Sequence, residues 1–109
     1  MNEILITIVT LLCCHFLFDF AIQGDFVAKF KARVVEGKDN TMWKWILTAH
    51  AASHTLPILL ITQSLVLGGI MFLSHFVIDF LKCEQKITFN QDQVLHICVI
   101  LLITWLNFI

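Results

Sequence analysis

The residues able to do chemistry in this chain are five histidines and three aspartates set in apolar surroundings. His15-Phe16-Leu17-Phe18-Asp19-Phe20 returns, with the same order of types, as His75-Phe76-Val77-Ile78-Asp79-Phe80. A spacing of four puts His and Asp on one helical face, a single turn apart. His50/His54 and Asp92/His96 repeat that spacing, so every histidine of the chain belongs to such a pair. Ionisable side chains in long apolar runs are expensive and mark functional sites by default. Imidazole nitrogens and carboxylate oxygens together suit a divalent metal. Zinc is the first expectation, with iron and manganese as alternatives. The candidate ligands are His15, Asp19, His50, His54, His75, Asp79, Asp92 and His96, enough for one or two ions. Asp19, Asp79 and Asp92 are also the candidate catalytic groups, as ligands, as partners that orient an imidazole, or as the base that takes a proton from an activated water.

The elements that must carry these residues follow from hydropathy. The 109-residue chain is 59% hydrophobic and 14% charged, with a mean hydropathy of +0.87. Soluble domains average roughly 45–50% apolar and about 25% charged, so the composition is that of a membrane protein. One proline, four glycines and no Pro- or Ser-rich linker fit a single domain over 1–109. A net charge of −1 leaves no large basic surface for nucleic acid. Four apolar runs, roughly 4–22, 43–62, 65–81 and 93–109, are long enough to cross a bilayer at about 1.5 Å per residue. Met1 to Cys14 lacks the basic start and small-residue cleavage site of a signal peptide, and reads as a retained helix. Between the first two runs, Phe26-Val27 and Phe30 with Val34-Val35 predict a short amphipathic helix on the membrane surface, and Gly37 to Thr41 reads as a turn. The expected fold is therefore all-α: a four-helix membrane bundle of two helical hairpins plus a short amphipathic cytoplasmic helix.

Charge then sets orientation and depth. Every Lys and Arg lies in the first loop, in the third loop, or beside them at Lys44 and Lys82. The positive-inside rule puts both loops in the cytoplasm and both termini outside, in a multi-pass protein of the cytoplasmic membrane. Counted inward from that side, His15 lies seven residues before Ile22, His50 seven after Trp43, and His75 seven before Lys82. These three share a level roughly 10 Å below the boundary. The hairpins read as a diverged parallel repeat, H-x-x-x-D then H-x-x-x-H answered by H-x-x-x-D then D-x-x-x-H. Helices that each deliver two polar groups inward at one depth are how bundle cores build metal sites.

Plainer readings compete. A lone His–Asp pair is more often a structural hydrogen bond, and Asp92 alone suits a first-turn acid complementing the helix dipole. Gln23 and Gln93 read as interfacial side chains, and Lys82 as a snorkelling one. The cysteines form no C-x-x-C pair, and Cys13, Cys14 and Cys98 read as small hydrophobes.

His15 to Gln23, Ala49 to His54, Ser74 to Lys82 and Asp92 to Ile97 resemble the motifs of the family catalogued as domain of unknown function 3307. The resemblance covers nearly the whole chain. It implies a small multi-pass membrane protein of bacterial or phage type and supplies no reaction. A looser similarity, in residue types and setting only, is to small membrane-bound metal-dependent hydrolases.

Three functions fit this pattern. The first is a membrane-embedded metal-dependent hydrolase acting at the cytoplasmic face on a lipid or phosphoester. The second is divalent-cation binding or transport, since paired H-x-x-x-D motifs also resemble the zinc site of cation diffusion facilitators; with four short helices, transport calls for a homo-oligomer. The third is a non-catalytic membrane module whose basic loop binds a partner or anionic lipid. The bilayer is the partner common to all three.

Overall fold

A computed structural model describes residues 2–109. The first helix, α1, runs Asn2–Phe16 and continues without a break into one π-helical turn, Leu17–Ala21. There Ile22 N donates to Leu17 O at 2.9 Å, five residues back. Nothing in the sequence Leu17-Phe18-Asp19-Phe20-Ala21 marks this turn. Such single π turns inside α-helices recur at functional sites.

The first loop departs from expectation. The helix α2 is confined to Gly24–Phe30, entered through Gly24 at φ +73°. A β-hairpin follows, Val34–Val35 (β1) against Lys38–Asp39 (β2), with Val34 opposite Asp39 and Val35 opposite Lys38. Glu36 and Gly37 both have positive φ, as a two-residue hairpin turn requires. Val34 and Val35 thus extend a strand instead of the amphipathic helix, and Lys38–Asp39 is a strand within the stretch read as a turn. Asn40 ties this strap down by donating through Nδ2 to Phe30 O at 2.6 Å and Ala32 O at 3.0 Å.

Three long helices complete the chain: α3 Trp43–Thr62, α4 Leu65–Cys83 and α5 Phe89–Phe108. Pro57 lies within α3, which ends at Gln63 in the left-handed region. Ser64 caps α4 by accepting from Leu67 N at 3.1 Å. α5 starts earlier than its hydropathy indicates because Thr88 and Gln91 form a reciprocal capping box, which converts Phe89–Gln91 from loop to first turn.

α1 packs on α3 and α5, and α4 packs on the same two, so the bundle closes as a ring. Its extents are 49 × 24 × 22 Å. All four long helices are long and apolar enough to cross a membrane. The outer surface is apolar: Leu65, Trp45, Val66 and Leu60 are among its exposed side chains. The interior is divided. One half is a hydrophobic core of Leu11, Ile58, Leu67, Met71, Ile100 and Ile103. The other half buries His15, Asp19, His50, His54, His75, Asp79, Asp92 and His96. All eight expected residues therefore meet inside the bundle.

Close approach of α3 and α4 depends on Gly68, where a Cβ would collide with the Leu59 side chain, whereas Gly69 faces open space. Overpacking of this kind costs about 1–3 kcal/mol. Gly68→Ala is expected to lower the unfolding midpoint of detergent-solubilised protein while Gly69→Ala does not; equal midpoints would contradict the contact.

Candidate metal centre

Asp19 is the focus of the site. The π turn at the end of α1 carries its carboxylate to α3, where Oδ1 lies 3.1 Å from His54 Nε2 and 3.2 Å from His50 Nε2. The α-helical pairing expected with His15 is the looser contact, at 3.6 Å. His75 of α4 stacks on His54, ring centroids 3.8 Å apart, and brings a third imidazole to the group. Asp19, His50, His54 and His75 each offer one ligand atom, and those atoms all lie within 4.8 Å of one another.

The donor set fits a metal ion on two counts. A tetrahedral ion with bonds of about 2.0–2.2 Å holds its ligand atoms about 3.3–3.5 Å apart, close to the spacings around Asp19. More tellingly, His50 Nε2, His54 Nε2 and both nitrogens of His75 are buried and lack a hydrogen bond among the described residues. His50 and His54 lie close to Asp19 Oδ1, whereas His75 Nε2 is 4.0 Å from Asp79 Oδ2. A buried polar atom left without a partner costs about 1–3 kcal/mol. Buried nitrogens without a partner, gathered within 4.8 Å of one another and of an Asp19 oxygen, are disposed as the ligands of one ion would be.

Asp79, Asp92 and His96 form a second group under the same criterion. Asp92 Oδ1 and His96 Nε2 lie 3.2 Å apart and are both unpartnered. His96 stacks on His75 at 4.2 Å, so the two groups are adjacent. Asp79 borders both, its Oδ2 being 3.4 Å from His50 Nε2. His15 joins neither group; its Nε2 lies 3.1 Å from Gln93 Oε1.

Several neighbours of the centre were not legible as such. Lys31, one of four basic residues in the first loop, is 2% exposed. Its Nζ donates to Asp79 Oδ2 at 2.9 Å and to Gln23 Oε1 at 2.5 Å. Lys82 does not merely snorkel: its Nζ contacts Asp79 Oδ1 at 3.2 Å. Gln93 is a cross-brace instead of an interfacial side chain. Its amide nitrogen donates to Asp19 Oδ2 at 2.9 Å and to Asp92 Oδ2 at 3.1 Å. Gln23 likewise points inward, donating to Asp19 O at 3.1 Å. A cavity of about 110 Å³ lies between the end of α1 and α3, lined by Phe18, Ile22, Val27 and Ala49 with His50 and Gln23 at its polar side.

A family model described as "Protein of unknown function (DUF3307)" matches residues 7–109. The chain belongs to this family. The matched region of DUF3307 contains all eight candidate ligands together with Gln23, Lys31, Lys82 and Gln93, so the whole centre lies within the family's span. No curated protein and no solved structure matches the chain.

Proposed function

We propose that the chain is a membrane-embedded metal-binding protein that works as a metal-dependent hydrolase at the cytoplasmic face of the inner membrane, on a lipid or another phosphoester. One observation carries the reading: Asp19 of the π turn and the buried imidazoles of His50, His54 and His75, from α3 and α4, gather one ligand atom each within 4.8 Å of one another, and the imidazole nitrogens there have no hydrogen bond among the described residues. Four helices of spanning length with an apolar exterior and a polar interior favour the bilayer as solvent. The basic residues favour the strap and the α4–α5 loop as the cytoplasmic side, with both termini outside.

A bound divalent cation, zinc by preference, would acidify water and polarise a phosphoryl or ester oxygen. Asp79 and Asp92 are the carboxylates beside it, available to take up a proton or to hold a further ion. Lys31 and Lys82 place two ammonium groups on Asp79 beside the centre, positive charge that favours an anionic substrate. The cavity beside His50 has a mixed lining, Phe18, Ile22, Val27 and Ala49 against His50, Gln23 and Ser53, which suits a substrate with both a polar and an apolar part.

The rival readings fit less well. Transport needs a path through the other half of the bundle, and Leu11, Ile58, Met71, Ile100 and Ile103 fill it. A purely structural polar cluster would satisfy its own hydrogen bonds, whereas His50, His54, His75, Asp92 and His96 do not.

Zinc-loaded protein in detergent is expected to hydrolyse an aryl phosphodiester or a phospholipid. Chelation or Asp19→Asn should bring turnover down to the uncatalysed rate. Turnover that survives chelation, or a metal-loaded chain inert toward every phosphoester class, would count against the hydrolase.

A further inference from the structure

We infer that the bundle holds a second cation site, made by Asp79, Asp92, His96 and His15, which Lys31 and Gln93 hold closed. The inference rests on the metal reading of Asp19, His50, His54 and His75 and extends it.

The argument is the internal repeat. Superposing the two H-x-x-x-D motifs equates His15 with His75 and Asp19 with Asp79. The following helices equate His50 with Asp92 and His54 with His96. The ring of contacts obeys the same exchange: α1 on α3 answers α4 on α5, and α3 on α4 answers α5 on α1. Applying the exchange to Asp19, His50, His54 and His75 yields Asp79, Asp92, His96 and His15. The first three of these are independently gathered within ligand range. Asp92 Oδ1 and His96 Nε2, in side chains 0% and 3% exposed, have no partner among the described residues. His15 is the one member held away. Its ring centroid lies 5.2 Å from that of His96, at the distance His15 also keeps from His54.

What breaks the symmetry is the set of residues that close the second site. Lys82 occupies the position equivalent to Ile22, and Gln93 that equivalent to Ala51. Lys31 comes from the strap, which the second hairpin lacks. The Lys31 ammonium lies on Asp79 Oδ2 as a cation would, and the Gln93 carbonyl oxygen holds His15 Nε2. A second ion must displace the ammonium from Asp79 and draw His15 off Gln93. In a two-ion centre Asp79 and Asp92 would serve as ligands, and the bound ions would supply the acidification of water.

The test is a cobalt(II) titration of the metal-free full chain in detergent, read by visible absorption, with bound zinc counted by elemental analysis. Wild type should take up two equivalents, the second more weakly. Lys31→Met should tighten the second by roughly 10- to 100-fold, the worth of a charge-assisted hydrogen bond that the ion no longer has to break. His15→Ala should bind one equivalent with unchanged first-site affinity. Lys31→Met leaves every ligand in place, so it tests the site even if His15→Ala folds poorly. Saturation at one equivalent in both wild type and Lys31→Met overturns the second site and leaves the first standing. Two equivalents in His15→Ala overturns the role of His15. No bound metal in any of them overturns both sites.

Discussion

His54→Ala is expected to lower divalent-metal affinity by roughly 100-fold, and His50→Ala to do the same. Four-ligand protein sites bind zinc with apparent free energies of about 10–16 kcal/mol, so one ligand is worth about 3 kcal/mol. Both imidazoles approach the same Asp19 oxygen, at 3.1 and 3.2 Å, and the Nε2 of neither has a hydrogen bond among the described residues, although His50 also lies 3.4 Å from Asp79 Oδ2 and His54 stacks on His75. The loss should therefore appear chiefly in metal affinity. Truncation removes two unpartnered buried nitrogens, which offsets part of the cost of the cavity left behind, so the metal-free variants should unfold close to or modestly below the wild-type midpoint. Competition against a zinc chelator gives the affinity, and thermal unfolding in the presence of excess chelator gives the stability. Cys98→Ala, which removes an exposed thiol outside the cluster, is the matched control and should change neither. Wild-type affinity in both His→Ala variants, or a drop in metal-free stability without a drop in affinity, would mean that the imidazoles are packing groups.

The second large effect concerns Asp79. Asp79→Asn destabilises the metal-free protein by about 3–5 kcal/mol, the usual cost of leaving a buried charge without its counter-ion. The burden falls on Lys31, whose side chain is 2% exposed, since Lys82 at 23% reaches solvent. Gln23 remains as a neutral acceptor and cannot replace the carboxylate. Lys31→Met combined with Asp79→Asn removes both charges and should recover most of the loss. Denaturant or thermal unfolding of the four proteins, with chelator throughout, closes the double-mutant cycle. Additive effects would show that Lys31 and Asp79 do not depend on one another. The exposed pair Lys29–Glu36, at 2.6 Å, is the contrast. The adjacent ammonium holds the Glu36 carboxyl below its usual range, yet a solvated pair of this type adds little to stability.

The bundle and the eight inward residues were legible because both depend on short-range regularities. Apolar run length gave the helices, and i, i+4 spacing counted from the basic boundary gave a common depth for His15, His50 and His75. What was not legible depends on contacts across the fold. Nothing local separates Lys31 from Lys29, Arg33 and Lys38. Its burial follows from the strap folding back over Asp79, and the hairpin turn that allows this is Glu36-Gly37, without the Asn or Asp that usually announces such a turn. The partners of Asp19 were misjudged for a similar reason. Regular α-helical spacing pairs it with His15, but the π turn shifts its carboxylate to His50, His54 and Gln93. Gln93 follows Asp92 directly, which by helical spacing sets it on another face, yet its long side chain reaches back across the bundle to Asp19 and His15. The Thr88–Gln91 capping box was readable and marks the true start of α5.

The proposed binding of a metal ion by Asp19, His50, His54 and His75 is tested by elemental analysis of the purified chain beside a His50→Ala/His54→Ala variant, both verified as helical. At least one divalent ion per wild-type chain is expected, and none in the variant. A folded wild-type chain that carries no metal and takes up none on reconstitution would contradict it.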